Sequence, residues 1–225
     1  METLELTVFD HGPNSIENLR KRLNQFEAQN RIQVSLEVLP WDGSWTHMVQ
    51  VALYKDGLDI SEMGSTWLGD FIHMNALRPF SSREITAVGG EDAFLRPCWS
   101  SSGIWTDLPN SRFTNWGVPW LADVRILAYR CDIFDKVGIN EKTAFSDLNA
   151  VDRTLSRLRD SGNGMPLVIP TLRSRIDFHI MAAWIWGEGG DFFDQQKNEI
   201  IFDSPAALRG FCRYFSLVEF LSPDI

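Results

Sequence analysis

The chain has 225 residues, enough for one large domain or two lobes with a real hydrophobic core. Its 44% hydrophobic and 23% charged content excludes a disordered chain, and no apolar stretch approaches the length of a membrane span. The net charge of -9 argues against nucleic acids and anionic membranes as partners, because binding phosphates requires clustered cations.

Cysteine and histidine usage gives no sign of a metal site. The three cysteines, Cys98, Cys131 and Cys212, form an odd and widely spaced set without a CxxC motif, and the four histidines are scattered. Motifs for nucleotides, zinc proteases and serine hydrolases are also absent from the sequence. We therefore expect no metal, no cofactor and no catalytic residues.

Strand and helix patterns alternate in the first half of the chain. The predicted elements are, in order, a strand at Leu4–Phe9, a helix from Ile16 to Gln29, a strand at Ile32–Leu39, a helix at Ser44–Lys55, a strand at Leu58–Met63 and a helix through Trp67 and Met74. Asn14 or Ser15 is expected to cap the first helix, and Ser65 or Thr66 the third. This alternation predicts a parallel sheet with right-handed crossovers.

The second half predicts another α/β unit after a long extended segment. The predicted elements are a helix between Glu91 and Trp99, an extended stretch at Trp116–Cys131, helices at Ile133–Val137 and Phe145–Arg159, a strand at Leu167–Pro170, and helices at Ser174–Trp186 and Ser204–Leu221. Proline follows serine at the start of the last helix, which is the favoured order.

Aromatic and polar side chains follow the first three predicted strands, where ligands of open α/β sheets bind. These residues are Asp10 and His11 after the first strand, Trp41, Asp42 and Trp45 after the second, and Ser65, Thr66 and Trp67 after the third. Indole rings beside single carboxylates and hydroxyls suit a neutral sugar, whose C–H faces stack on the ring. The sequence therefore favours a carbohydrate ligand.

Structural roles explain several of these residues equally well. Asp10 and Asp42 are also typical of turns and caps at strand ends. Trp45 has helical spacing with core residues, and Trp67 fits either a core or a ligand surface.

Two charges interrupt the apolar extended segment. Asp123 and Arg125 share one face of an extended chain. Either they form an ion pair with each other at a strand edge, or they present hydrogen-bonding groups to a ligand.

Four segments of the sequence, in this order and spacing, resemble family 1 extracellular solute-binding proteins of bacterial ABC sugar importers. They are LPWDGSW, GLDISEMGSTWLGDF followed by ALRPF, GVPWLADVRILAYRCDIFDKVGI, and WIWGEGGDFFD. The resemblance implies an α/β, two-lobed periplasmic-binding-protein-like (type II) fold, with sugar in a cleft that closes by hinge motion. The implied domains are an N-terminal lobe at 1–116, a crossing strand at 117–131 and a partial second lobe at 132–225.

The resemblance also implies a larger set of ligand-binding residues. Besides Asp10, Trp41, Ser65, Thr66 and Trp67, it adds Trp120, Asp123 and Arg125 at the cleft wall, and Trp186, Glu188, Gly189 and Gly190 from the second lobe. The two glycines would let the backbone approach a ligand, although a helix C-cap explains them equally well.

One departure from the family is the length of the chain. Members are nearly twice as long, so the resemblance implies a fold incomplete at the C-terminus, in a fragment, a shortened paralogue or one part of a larger polypeptide. Apolar edges left open by the missing part would favour self-association.

The leading functional hypothesis is non-catalytic binding of a neutral mono- or oligosaccharide for delivery to the membrane subunits of an ABC permease. An alternative is a sugar-sensing domain of a signalling or transcriptional protein. A remote alternative is a glycoside hydrolase that uses Asp123 and Glu188. We expect an extracytoplasmic location for a mature segment and a cytoplasmic one for a sensor, because no signal peptide precedes the first strand.

Overall fold

The chain divides into two compact units, Met1–Asp123 and Val124–Ile225. The computed structural model describes residues 3–55, 58–105, 112–162, 164–170, 175–194, 197 and 199–221. The division lies inside the segment 117–131 that the sequence predicts as a crossing strand, while the predicted domain boundaries themselves stay a prediction.

The first unit begins with the predicted alternation of strands and helices. Its strands are β1 (Thr3–Phe9), β2 (Gln33–Leu39), β3 (Ile60–Ser61), β4 (Gly103–Trp105) and β5 (Phe113–Asn115). Its helices are α1 (Ser15–Asn30), α2 (Trp41–Tyr54), α3 (Leu68–His73), α4 (Ser82–Ala87) and α5 (Arg96–Ser100). β4 and β5 form an antiparallel pair of their own.

The predicted parallel sheet is confirmed for β1, β2 and β3, which pair in the order β2-β1-β3. Phe9 lies opposite Leu39 and Leu6 opposite Ile60, so the carboxyl ends of the three strands meet at one edge. Thr7, Val8 and Phe9 at the end of β1 are all buried. The residues that follow each strand are therefore brought to the same edge.

The third strand is shorter than predicted. Only Ile60 and Ser61 pair with β1, after which the Glu62 N–H donates to the Thr7 carbonyl oxygen at 2.8 Å. The expectation that Ser65 or Thr66 caps a helix is wrong, because both lie inside a 3-10 turn, Ser65–Trp67, that leads directly into α3. The capping position before this turn is Gly64, which has no side chain to accept a hydrogen bond.

One further expectation for the first unit needs correction, and one at its boundary is not confirmed. The predicted helix between Glu91 and Trp99 is a 3-10 turn at Glu91–Ala93 followed by the separate helix α5, with Pro97 in the first turn of α5. Residues 117–130 are all described and form neither helix nor paired strand, so the predicted extended stretch at Trp116–Cys131 joins no described sheet, and its role as a crossing strand at 117–131 stays a prediction. Its apolar side chains, such as Ile126, are exposed instead of being buried in a sheet.

The second unit is mainly helical among its described residues. It contains α6 (Cys131–Val137), α7 (Glu141–Ala144), α8 (Leu148–Asp160), α9 (Arg175–Gly187) and α10 (Pro205–Ser216), with a short antiparallel pair of β6 (Phe193–Asp194) and β7 (Glu199–Ile200). Side chains of α6, α8 and the 3-10 turn Leu217–Phe220 form its core. The predicted strand at Leu167–Pro170 is not a strand, although the Leu167 N–H donates to the Phe220 carbonyl oxygen at 3.2 Å. Ser174, the predicted start of α9, lies outside the described residues.

Helices α9 and α10 pack closely because glycine lies at the contact. A Cβ atom on Gly210 would lie 2.4 Å from the Ile185 Cα atom, which is closer than real Cβ contacts allow. Gly190, just after α9, has the same constraint, because its Cβ would lie 2.5 Å from the Ala207 Cα atom. Both positions therefore need glycine for packing reasons.

Candidate functional site

An exposed indole ring lies at the carboxyl edge of the parallel sheet. Trp41 stacks on Phe9 with ring centroids 3.9 Å apart and planes 12° from parallel, yet 49% of Trp41 remains exposed. Pro40 ends β2, and non-helical backbone at Asp42 and Gly43 separates Trp41 from the regular turns of α2. The ring is thus held on its Phe9 face, while about half of the residue stays open to solvent.

Buried rings support Trp41 from behind. Trp67 contacts it edge to face at 6.0 Å and Phe9 at 6.2 Å, and Trp45 packs on Trp67 at 5.4 Å. Trp67 is only 8% exposed and belongs to the core of the first unit with Phe71. The structure therefore gives Trp67 and Trp45 a packing role, and Trp41 is the ring of this cluster with a large open surface.

Asp10 presents a carboxylate just beyond the end of β1. Its Oδ1 atom accepts hydrogen bonds from the Gly12 N–H at 2.9 Å and from the Ser15 hydroxyl at 3.0 Å. These donors, the backbone N–H first, lower the pKa of Asp10 below its ordinary value, with a smaller contribution from His11. Asp10 is exposed, so it offers a fixed, ionised acceptor to a ligand.

His11 pairs with an acidic residue that the sequence analysis did not single out. Its Nε2 atom lies 2.6 Å from Glu62 Oε1, and Glu62 Oε2 accepts the Phe9 N–H at 2.9 Å. The His11 ring also meets Trp41 edge to face at 6.2 Å. Glu62 was missed because it falls inside the predicted strand; the rule that ligand residues follow strands would have found it had β3 been predicted to end at Ser61.

The remaining predicted residues of this edge are exposed polar groups. Asp42 follows Trp41 directly, and Ser65 and Thr66 lie in the 3-10 turn next to Trp67. The structure thus brings the predicted strand-end residues of the first unit to one sheet edge.

The residues predicted in the second unit have different surroundings. Trp186 is 55% exposed, and its indole N–H donates to Asp191 Oδ1 at 3.1 Å. The Glu188 side chain is only 16% exposed and accepts a hydrogen bond from Arg213 Nε at 2.6 Å, with Arg209 Nε at 3.5 Å. Glu188 is therefore held by cations of α10, which is a structural role.

Arg213 connects α10 to α8 and to the residue that follows α9. It also pairs with Asp152 of α8 and donates to the Leu148 carbonyl oxygen at 3.2 Å. Burial alone would lower the pKa of Arg213, but the hydrogen bonds and charges of Glu188 and Asp152 outweigh it and raise that pKa. Gly189, with φ of +77°, and Gly190 form the turn that follows α9, which supports the alternative of a helix end for this glycine pair.

Trp120, Asp123 and Arg125 lie in the irregular segment between the regular elements of the two units. All three are exposed, with Trp120 at 59%. The segment that carries Asp123 and Arg125 is described but is not assigned as a strand. Their roles in ligand binding stay predictions.

The described residues hold no cluster of three or more histidine, cysteine or acidic side chains that could bind a metal ion. Within that same part of the chain, every helix is too short or too polar to cross a bilayer.

The sequence matches a known protein family over most of its length. Residues 12–211 fit the family described as bacterial extracellular solute-binding protein. The chain belongs to this family. A relative of this solute-binding protein in Brucella abortus (strain 2308), described as a binding protein, is 22% identical over 220 residues, which are 96% of this chain and 50% of that protein.

Solved structures share the fold of this solute-binding protein at low sequence identity. The sugar-binding protein MalE of Xanthomonas citri superposes with a TM-score of 0.78 at 17% identity, covering 99% of this chain and 54% of that one. A Thermotoga lettingae solute-binding protein bound to α-D-tagatose gives 0.74 at 18% identity, covering 99% and 56%. A sugar transporter protein of Arthrobacter chlorophenolicus with laminaribiose gives 0.70 at 16% identity, covering 98% and 55%.

These likenesses confirm the predicted family and fold class. The fold is α/β and is that of the two-lobed, MalE-type binding proteins. This solute-binding protein spans about half the length of the relatives and structures it matches.

Proposed function

We propose that this chain binds a neutral sugar without chemical turnover, and that the sheet edge with Trp41 and Asp10 supplies part of the binding site. The observation that carries the proposal is the Trp41 ring, fixed against Phe9 on one side and 49% exposed. A fixed ring of this kind stacks on sugar C–H faces at little entropic cost. The ionised Asp10 carboxylate beside the strand end would accept hydrogen bonds from sugar hydroxyls.

Family membership supports delivery of the sugar to an ABC permease as the biological role. In that role the protein would act outside the cytoplasmic membrane, as a periplasmic protein or an anchored lipoprotein. The cleft between two lobes, with Trp120, Asp123, Arg125 and Trp186 as further contacts, stays a prediction from the resemblance. Self-association and the sensor alternative also stay predictions.

The hydrolase alternative loses support from the surroundings of Glu188. A general acid or nucleophile must reach the substrate, whereas both Glu188 oxygens lie near arginine nitrogens of α10. We propose a binding function for this reason.

A sugar screen with a matched pair of variants tests the proposal. Thermal unfolding is measured with maltose, laminaribiose, tagatose and ribitol, which are bound by proteins of this fold, followed by calorimetric titration of any hit. A ligand at a hundredfold excess over Kd stabilises the protein by about 2.7 kcal/mol.

The variants are Trp41→Ala and Trp105→Ala, since Trp105 is also exposed, at 58%, but lies on β4, which belongs to a different sheet. We expect Trp41→Ala to weaken binding about tenfold or more and Trp105→Ala to leave it unchanged, because truncation of an anchoring tryptophan commonly costs about 2 kcal/mol or more of binding free energy. Equal affinities of both variants and the wild type would exclude the Trp41 edge as the site.

A further inference from the structure

Glu62 uses both carboxylate oxygens to hold the end of β1. Oε2 accepts the Phe9 N–H at 2.9 Å and Oε1 contacts His11 Nε2 at 2.6 Å. The Glu62 N–H in turn donates to the Thr7 carbonyl oxygen at 2.8 Å. Only 10% of the Glu62 side chain is exposed, so a ligand has little access to it.

The two groups that Glu62 holds are two of the three rings that contact Trp41, the third being Trp67. Phe9 stacks on Trp41 at 3.9 Å, and His11 meets it edge to face at 6.2 Å. A displacement of either neighbour would change where the Trp41 face points. Glu62 therefore acts on the ring through Phe9 and His11 and does not need to touch the sugar itself.

A carboxylate is suited to this position because it can accept from histidine in both of its ionisation states. The imidazolium and the neutral ring protonated on Nε2 both donate from that atom. The charged groups against His11 are Glu62 beyond β3 and Asp10 from the same turn, while α2 contributes the uncharged Trp41 ring. The His11 N–H of the backbone donates to the Ser15 hydroxyl at 3.3 Å, which fixes the turn independently.

We propose that Glu62 is a positioning residue of the sugar site, which keeps Phe9, His11 and hence Trp41 in place whether His11 is protonated or neutral. This inference rests on the proposed sugar binding at Trp41. The inference assigns a role to a residue that need not touch the sugar. It predicts that sugar affinity does not depend on whether His11 carries a proton.

The variant Glu62→Gln separates this role from simple packing. The glutamine oxygen can still accept the Phe9 N–H, and its NH2 group can donate to a neutral imidazole, so the hydrogen bonds survive at high pH. At low pH the amide NH2 faces an imidazolium that has no lone pair to accept from it. We therefore expect near wild-type sugar affinity at pH 8 and about tenfold weaker binding at pH 5.5, whereas the wild type keeps its affinity.

The matched control is Asp59→Asn. Asp59, just before β3, is another carboxylate that accepts a backbone N–H of β1, because its Oδ2 atom accepts the Glu5 N–H at 2.9 Å. Its pH profile should run parallel to that of the wild type. In the double variant Glu62→Gln/His11→Asn, the extra pH dependence should disappear, because position 11 then carries no imidazole for the amide to face.

Thermal unfolding without sugar, measured over the same pH range, distinguishes failure of this inference from failure of the proposed function. If no sugar binds to the wild type, the proposed function fails, and with it the inference that rests on it. The contacts of Glu62 with the Phe9 N–H and His11 still predict that the difference in Tm between wild type and Glu62→Gln widens as pH falls. If the difference in Tm widens as pH falls but the Kd values of wild type and Glu62→Gln change with pH in the same way, Glu62 has a structural role and does not position the sugar site. If both Tm and Kd change with pH in the same way in wild type and Glu62→Gln, the proposed coupling between His11 and Glu62 is wrong.

Discussion

Asp10 in the first unit and Glu188 in the second are both acidic residues that follow an apolar element and lie near tryptophan and glycine. Their surroundings differ. Asp10 is exposed and its Oδ1 is fixed by a backbone N–H and a hydroxyl, whereas Glu188 is mostly buried against Arg213 and Arg209. The burial of Glu188 depends on Arg213, 25 residues further along the chain, so a local motif does not separate an exposed carboxylate from one buried in an ion pair.

The largest effect that would sharpen this comparison is expected for Arg213→Met in the second unit. It leaves Glu188 and Asp152 without their shared cation, and we expect a loss of roughly 2–4 kcal/mol in the free energy of unfolding, since both members of the Arg213–Glu188 pair are mostly buried. Urea denaturation measures it. The control Arg130→Met removes a pair with Asp132 in which both side chains are largely exposed, so little or no loss of stability is expected. Equal losses in the two variants would contradict a structural role for Glu188.

The second effect concerns the contact of α9 with α10, on which the position of Glu188 depends. Gly210→Ala places a Cβ 2.4 Å from the Ile185 Cα atom, and we expect about 1–3 kcal/mol of destabilisation from overpacking. Gly69→Ala in α3 is the control, because nothing lies within 4 Å of its added Cβ. That variant should be neutral or more stable by up to about 1 kcal/mol, the difference in helix propensity. Stabilisation by both alanines would show that the helices are not in close contact.

The third effect concerns the exposed carboxylate of the first unit, Asp10, and tests whether it binds the sugar. Asp10→Asn removes a charge that faces solvent, so we expect sugar binding to weaken by about tenfold, the loss typical of a charge-assisted hydrogen bond. Thermal stability should change little. Calorimetric titration checks it, with the exposed Asp92→Asn of the same unit as a control that keeps full affinity. If Asp10→Asn binds as well as the control, Asp10 has only a turn role.

The smallest effect is the pH-dependent contribution of Glu84 to stability. Like Glu188, Glu84 pairs with an arginine, but it is exposed. The side-chain hydrogen bond from Arg78, followed by donors from Ser81, lowers the pKa of Glu84 from 4.5 to about 2. A lowered pKa in the folded state stabilises the protein above pH 4.5, and this contribution is lost as pH falls towards 2. The stability gap between wild type and Glu84→Gln, from urea midpoints at pH 5, 4 and 3, should therefore narrow with falling pH. A constant gap would refute the interaction.

Much of the first unit could be predicted because its signals are local. The alternating residues from Leu4 to Phe9 and the turn after them correctly gave β1, and strand-helix alternation gave the parallel sheet. The position of the site at the strand ends followed from that topology. The burial of Trp67 and the exposure of Trp41 could not be predicted, because they depend on how four rings pack together.

Non-local contacts explain the failures as well. The segment at 117–130 has strand-like composition, but no described strand pairs with it, so the pattern alone overstates its structure. Glu62 falls inside the predicted strand, and its contact with the Phe9 N–H depends on β1 lying beside β3. The ion pair of Glu188 with Arg213 could not be predicted because the two residues are distant in sequence, while a ligand role for Glu188 stays a prediction. In each case the deciding partner is brought close only by the fold.

The most direct test of sugar binding at the Trp41 edge is a two-dimensional 1H–15N NMR titration with the best sugar from the screen. The account predicts that, within the first unit, the signals of the Trp41 indole N–H and of the backbone N–H groups of residues 9–12 shift most. The signals of the Trp105 indole N–H and of the β4 backbone should not shift. Saturable shifts that leave the Trp41 and Asp10 signals unchanged would contradict it.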